Sequence, residues 1–224
     1  MRIVRRHILF AVAFALAGAT AASAQMGMRP PEIRGVWKPV VGSGAAYEMD
    51  AQGGRKMQFE ITVVGSETVE GKPAYWQEMA MESPREGGQM YMKHLIVLDG
   101  KLTHVKRVIM QMPGHPPMEL PVEMMARGRG TDQPADYREQ AERVGSEPVT
   151  TPAGTFTCEH WRMKDGSAEV WFSEKVSPYG LVKTTGRESS MTLVRLITDA
   201  KTHITGTPEK IDPMERMRRQ RNNP

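Results

Sequence analysis

Apolar and polar residues alternate with a period of two through most of the stretch ending near Met112, the pattern of strands with one buried face. Met57, Phe59, Ile61 and Val63 fall on one side of such a run, with Gln58, Glu60 and Thr62 on the other. Tyr75, Gln77, Met79 and Met81 share a face opposite Trp76, Glu78, Ala80 and Glu82. Met90, Met92, His94, Ile96 and Leu98 repeat the rule, and Leu102–Met112 follows it less cleanly. Turn-forming residues separate the runs at Glu70-Gly71-Lys72-Pro73, Gly87-Gly88 and Asp99-Gly100. These features predict an antiparallel meander. A two-residue turn at Asp99-Gly100 sets His94 opposite Val105 and His104 opposite Leu95, which puts the two imidazoles on opposite faces.

The four prolines of Pro113–Pro121 cannot donate to a ladder, so this stretch is expected to be a loop. Asp132–Val144 has the marks of a helix: a capping Asp132, an early Pro134, a following Gly145, and many Ala, Glu, Arg and Gln residues. Met124–Arg127 predicts a further short turn. Strands resume at Thr155–Met163, Ala168–Ser173, Leu181–Thr185 and Met191–Ile197, with a turn at Asp165-Gly166. No repeat and no linker divides the chain. The expected organisation is a β-rich domain over 33–206, preceded by a flexible arm at 25–32 and followed by a basic tail at 207–224.

Residues 1–24 stand apart. Arg2, Arg5 and Arg6 precede an apolar run from Ile8 to Ala17, and Ala22-Ser23-Ala24 closes the segment, as in a cleaved secretory signal. The run falls short of the roughly 20 apolar residues that a membrane-spanning helix needs. The expected location is therefore the periplasm or the exterior. The whole chain has 224 residues, with 30 Lys+Arg against 26 Asp+Glu. Without the three arginines of the signal, 27 basic residues face 26 acidic ones, a net charge near +1 that excludes a charge-driven nucleic-acid partner. Cys158 is the only cysteine, so no intramolecular disulfide forms, and its expected role is a small buried hydrophobe.

Methionine is abundant, at 18 residues. On strands, the pairs Met79/Met81, Met90/Met92 and Met110/Met112 each put two thioethers on one face. Such faces serve as core filler, as the pliable lining of an apolar cavity, or as soft ligands for Cu(I). The cavity reading selects Met57, Phe59, Tyr75, Met79, Met81, Met90 and Met92. The copper reading selects Met110, Met112, His115 and Met118, three thioethers and one imidazole within nine residues. Cys158 and His160, two apart on a strand, form a possible nucleophile pair. Glu159 points the other way, however, and no orienting group or oxyanion site is evident. Gly-rich phosphate loops, HExxH, GxSxG and CxxC motifs are missing. The expectation is a binding protein without enzymatic activity or cofactor.

Thr151-Pro152-Ala153-Gly154-Thr155-Phe156-Thr157-Cys158, then Val170-Trp171-Phe172-Ser173, then Pro178-Tyr179-Gly180-Leu181-Val182-Lys183 resemble exported bacterial domains similar to the lipoprotein-carrier (LolA/LolB-like) half-barrel. The resemblance covers about a quarter of the chain. It implies a mainly β fold, a single curved antiparallel sheet forming a half-barrel with one or two short helices. By analogy it also implies a hydrophobic or amphipathic ligand such as a lipid on the concave face. An envelope protein in the same groove is the variant of this expectation.

Overall fold

The computed structural model describes residues 35–210 apart from 52–54, 84–86, 126–131 and 188. The expected signal at 1–24, the arm at 25–32 and most of the tail lie outside the described residues. Five long strands come first: β1 (Gly44–Ala51), β2 (Arg55–Val69), β3 (Lys72–Glu82), β4 (Gln89–Asp99) and β5 (Leu102–Gln111). A connector follows, holding β6 (Met118–Leu120), a single helical turn α1 (Val122–Met125), β7 (Asp132–Pro134) and a 3-10 turn at Tyr137–Gln140. The second half comprises β8 (Ala141–Thr151), β9 (Gly154–Met163), β10 (Ala168–Phe172), β11 (Leu181–Gly186), β12 (Ser189–Ile197) and the two-residue β13 (Glu209–Lys210).

All of these strands belong to one sheet, in the order β13-β6-β5-β4-β3-β2-β1-β12-β11-β10-β9-β8, with β7 beside β5. Two meanders, β1–β5 and β8–β12, are therefore joined through the pairing of β1 with β12. The ladders are antiparallel except the short β6–β13 pair. The sheet is curved and open, as a half-barrel is.

One face forms the inside of the curve. Tyr47 on β1, Phe59, Ile61 and Val63 on β2, and Leu193 on β12 are almost wholly buried on it. Residues 35–38 lie across this face. Val36 N–H donates to Tyr179 O at 2.9 Å, Lys38 N–H to Pro178 O at 2.7 Å, and Trp37 N–H to Ala135 O at 2.7 Å. The Trp37 ring packs on Tyr179 (centroids 5.0 Å apart) and edge-on to Tyr75 of β3 (6.4 Å). Tyr179 Oη donates to Gln77 Oε1 on β3 at 2.6 Å, although its loop joins β10 to β11. From β3 to β11 is four inter-strand steps, about 19 Å on a flat sheet, so curvature and the folded-back loop together close the gap.

The outer face of the first meander is covered by the segment that follows β12. Ala200 N–H donates to Gly42 O, Thr202 and His203 bond to Glu78 of β3, and Glu209 N–H reaches Pro117 O. Residues 198–210 thus form a strap from the centre of the sheet to β6. The expected tail boundary at 207 falls within this strap, since Glu209 and Lys210 pair with Met118 and Glu119.

Three further local expectations are corrected. The Pro113–Pro121 stretch, expected to be a loop, holds β6, which pairs with β5 between Pro117 and Pro121. The helix predicted over Asp132–Val144 is β7, one 3-10 turn and the start of β8. Asp136, rather than Asp132, caps the turn by accepting from Arg138 N–H at 2.9 Å. From Ala141 the ladder with β9 takes over, overriding propensity. Of the Glu and Arg residues that suggest a helix, Arg138 and Glu139 belong to the 3-10 turn, while Glu142 and Arg143 are charges of a sheet-edge strand, where they discourage pairing with another chain. The hairpin after β4 turns at Gly100-Lys101 instead of Asp99-Gly100, with Asp99 opposite Leu102. Asp99 does not take the positive φ that a I′ turn at Asp99-Gly100 requires, and Gly100, at φ +59, holds the first central position, where a II′ turn places glycine. A bulge between Leu95 and Ile96 then sets His94 opposite Val108, while His104 faces Val97. The two imidazoles still project from opposite faces.

Candidate functional site: a methionine-lined inner face

Met57, Phe59, Tyr75, Met79, Met81, Met90 and Met92 all project from the inner face of β2, β3 and β4. Phe59 stands opposite Met81 and Ile61 opposite Met79; Met79 faces Met92 and Met81 faces Met90. Tyr75 sits at the end filled by Trp37 and Tyr179, whereas the methionines gather at the other end. Phe59, Met79, Met81 and Met92 are buried, and Met57 and Met90 are half-buried.

The lateral register extends this surface beyond the residues that alternation selects. Met191 of β12 faces Met49 of β1, which faces Met57 of β2. In the other direction Met92 faces Met110 of β5, and Met110 faces Met118 of β6. Met49, Met110 and Met118 are half-buried. Alternation within one strand identifies which side a methionine takes; only register shows which methionines stand side by side. For that reason Met49 and Met191 escape the sequence reading.

Of the four residues selected for copper, Met110 and Met118 are therefore direct cross-strand partners. Met112 lies just past the end of β5, and its carbonyl accepts from His115 N–H at 3.1 Å across a tight turn. His115 is exposed at that turn.

The inner face of β3, β4, β5 and β6 carries no charged side chain among the described residues. Its polar members are Tyr75, Gln77, His94 and Thr103. Burial pushes the His94 imidazole down to about 4, so it is neutral at physiological pH. Burial likewise pushes the Tyr47 and Tyr179 hydroxyls far above the ordinary tyrosine range, with Tyr137 adding to the effect on Tyr179.

A second concavity lies over the other meander, a cleft of about 250 Å³. Val36, Phe172, Val176 and Gly180 supply its apolar wall, and Lys38, Arg138, Glu159 and Glu174 its charged rim. The rim charges are matched to each other. Lys38 pairs with Glu174, and Arg138 pairs with Asp136 at 2.8 Å and Glu159 at 3.3 Å. Trp161 Nε1 also donates to Glu159 at 3.2 Å. No signal in the sequence points to this cleft, because its walls come from segments more than 100 residues apart.

Cys158 and His160 share a face, the outer one. The Cys158 thiol is buried and donates to Phe156 O at 3.5 Å. Burial, with a smaller contribution from Glu147, pushes it up to about 11, so it is not a thiolate at neutral pH. His160 stacks on Trp171 with centroids 4.3 Å apart, and its Nε2 contacts Glu169 at 3.1 Å. Glu169 and Trp171 of β10 hold the imidazole in place.

No family model matches the chain, and no curated protein matches it. Solved structures offer distant likenesses. One is a Bacteroides fragilis protein described as exported and as having a YmcC-like fold. It is 12% identical at a TM-score of 0.36, over 73% of this chain and 99% of that one. Another is a Parabacteroides distasonis protein described as a lipoprotein, 14% identical at a TM-score of 0.36, over 74% of this chain and 100% of that one.

Proposed function

We propose that this chain is an exported, non-enzymatic binding protein that takes a hydrophobic or amphipathic molecule on the methionine-lined end of its inner face, in the manner of the lipoprotein carriers. The observation that carries this reading is the division of that face. Trp37 and Tyr179 fill one end, while Met49, Met57, Met90, Met110 and Met118 remain half-buried at the other. A surface of unbranched, polarisable thioethers adapts to an acyl chain or another flexible apolar shape. The uncharged inner face of β3–β6 means that such a ligand meets no unpaired ion there. The basic start, apolar run and Ala22-Ser23-Ala24 of residues 1–24 support an exported location, periplasmic or extracellular. The buried, protonated Cys158 and the carboxylate-held His160 support a role without covalent chemistry.

The test is native mass spectrometry of the protein purified from its own periplasm, followed by titration with a fluorescent fatty acid. A co-purified apolar mass and saturable binding are expected. Met57→Lys and Met90→Lys, at half-buried positions, are expected to weaken fatty-acid binding at least tenfold. A bare mass together with no saturable binding would overturn the reading.

A further inference from the structure

Three side chains that line the cleft over the second meander have oxygen atoms that no described residue pairs. Glu159 stands directly opposite Phe172 on the neighbouring strand, Ser173 follows Phe172, and Thr157 precedes Glu159 by two residues on the same face. Glu159 Oε2 accepts from Arg138 Nη1 at 3.3 Å and from Trp161 Nε1 at 3.2 Å, whereas Oε1 accepts from no described residue. The Ser173 side chain lines the cleft at only 7% residue exposure, yet its hydroxyl has no hydrogen-bond partner among the described residues. A hydroxyl withdrawn from bulk water and left unpaired on a cavity wall is free to bond what enters the cavity. The Thr157 hydroxyl is likewise unpaired.

The pairing of the rim charges leaves one carboxylate in excess. Arg138 is held by Asp136 through two of its nitrogens, Nε at 3.0 Å and Nη2 at 2.8 Å, so its charge is met before Glu159 adds a second carboxylate. Lys38 and Glu174 neutralise each other. Within this set two cations face three carboxylates, and the surplus negative charge belongs to Glu159.

We propose that the cleft binds a small primary amine in its protonated form, with the ammonium on Glu159 Oε1 and the Ser173 and Thr157 hydroxyls, and the hydrocarbon body against Val36, Phe172 and Val176. A primary ammonium has three N–H donors and no acceptor, which matches one carboxylate oxygen and two hydroxyl oxygens. A cavity of about 250 Å³ falls below the roughly 300–1,000 Å³ of drug-sized sites, which selects an alkyl or phenylalkyl amine over a larger molecule. An anion is disfavoured because both cations are already paired. A divalent metal ion is disfavoured because one surplus carboxylate leaves most of its charge and coordination unmet. The site lies on the other meander from the methionine-lined end and does not depend on the reading of that surface.

The test is an amide NMR titration of the purified chain with phenethylamine, run in parallel with its N-trimethylated derivative and with 3-phenylpropionate. The amine is expected to give saturable shifts at residues 157–159 and 172–180. The trimethylated derivative keeps the charge but has no N–H, and it is expected to bind at least roughly tenfold more weakly, the scale of a lost hydrogen bond to a charged group. The carboxylate is expected to leave the cleft signals in place. Glu159→Gln is expected to weaken amine binding by a similar factor and to leave fatty-acid binding, the readout for the methionine-lined end, unchanged. The comparison of three ligands uses the unsubstituted chain, so it stands even where the variant fails to fold. Equal binding of the amine and its trimethylated derivative, tighter binding of the carboxylate, or no saturable shift in the cleft would overturn the proposal.

Discussion

The buried carboxylate of Glu78 on β3 is clasped by His203 of the strap, accepting from its backbone N–H and contacting its Nδ1, both at 2.9 Å. Thr202 Oγ1 donates to the other carboxylate oxygen at 2.6 Å, and the His203 ring stacks on Tyr91 with centroids 4.8 Å apart. A charged acceptor buried on the outer face is thus satisfied entirely by a segment with little regular structure. Glu78→Gln keeps the shape and removes the charge from these bonds. Hydrogen bonds to charged groups contribute about 1.5–3 kcal/mol, so a loss of that order is expected in urea unfolding. Amide exchange at residues 199–206 should accelerate in step. An unchanged midpoint would mean that the strap is held by other contacts.

Gly35 packs so closely on the Tyr179 loop that an added Cβ would lie 2.5 Å from both Tyr179 Cβ and Tyr179 O. Gly35→Ala is therefore expected to destabilise by about 1–3 kcal/mol, the usual cost of overpacking, and to alter tryptophan fluorescence as Trp37 shifts. Gly145, with nothing within 4 Å of its added Cβ, is the matched control. Gly145→Ala should be close to neutral. Equal losses at the two positions would refute the argument from close approach.

Tyr179→Phe removes the donor to Gln77, which is buried on the inner face. An orphaned buried amide oxygen costs roughly 1–3 kcal/mol, and that is the expected loss of stability in thermal or urea unfolding. The contact also ties β3 to the β10–β11 loop, so exchange protection should fall in both segments together. Loss in only one would show that the bond is not what couples them.

Native Cys158 should resist alkylation at pH 8. Its thiol is raised to about 11 by burial, so the reactive thiolate is scarce, and the sulfur is also out of reach. Complete labelling is expected only in denaturant. The same shift gives a sign for pH dependence. The thiol titrates at lower pH in the unfolded chain than in the folded one, so this residue's contribution is fully present below about pH 8.5 and fades as pH rises through 11. Native labelling as fast as in urea would contradict this placement.

The strands and their faces were legible because alternation is a local property: Met57, Phe59, Met79 and Met92 lie on the side their spacing indicates. The row from Met79 to Met118 was not, because it depends on register across four strands, and register is set by turns and bulges. The hairpin after β4 shows how little separates the outcomes. Moving the turn by one residue, which leaves Asp99 in the strand and Gly100 first in the turn, changes every partner of β5. The segment at Asp132–Val144 misleads for a different reason, since edge-strand charges and helix-surface charges have the same composition. Trp37 carries no periodic signal, and its place against Tyr75 and Tyr179 follows from the curvature of the sheet and the folded-back β10–β11 loop.

The pairing of β1 with β12 also fixes the order in which the molecule can be assembled. Tyr47 Oη donates to Leu181 O across 134 residues of sequence, and Arg195 bonds Glu60 across 135. Until β12 has emerged, the first meander carries an open β1 edge with no partner, and contacts of such long range slow folding. The sheet spans both meanders only once β12 is available to pair with β1. A polypeptide built this way joins its two halves only after nearly the whole domain has been made, so no N-terminal fragment ending before β12 contains the complete inner face.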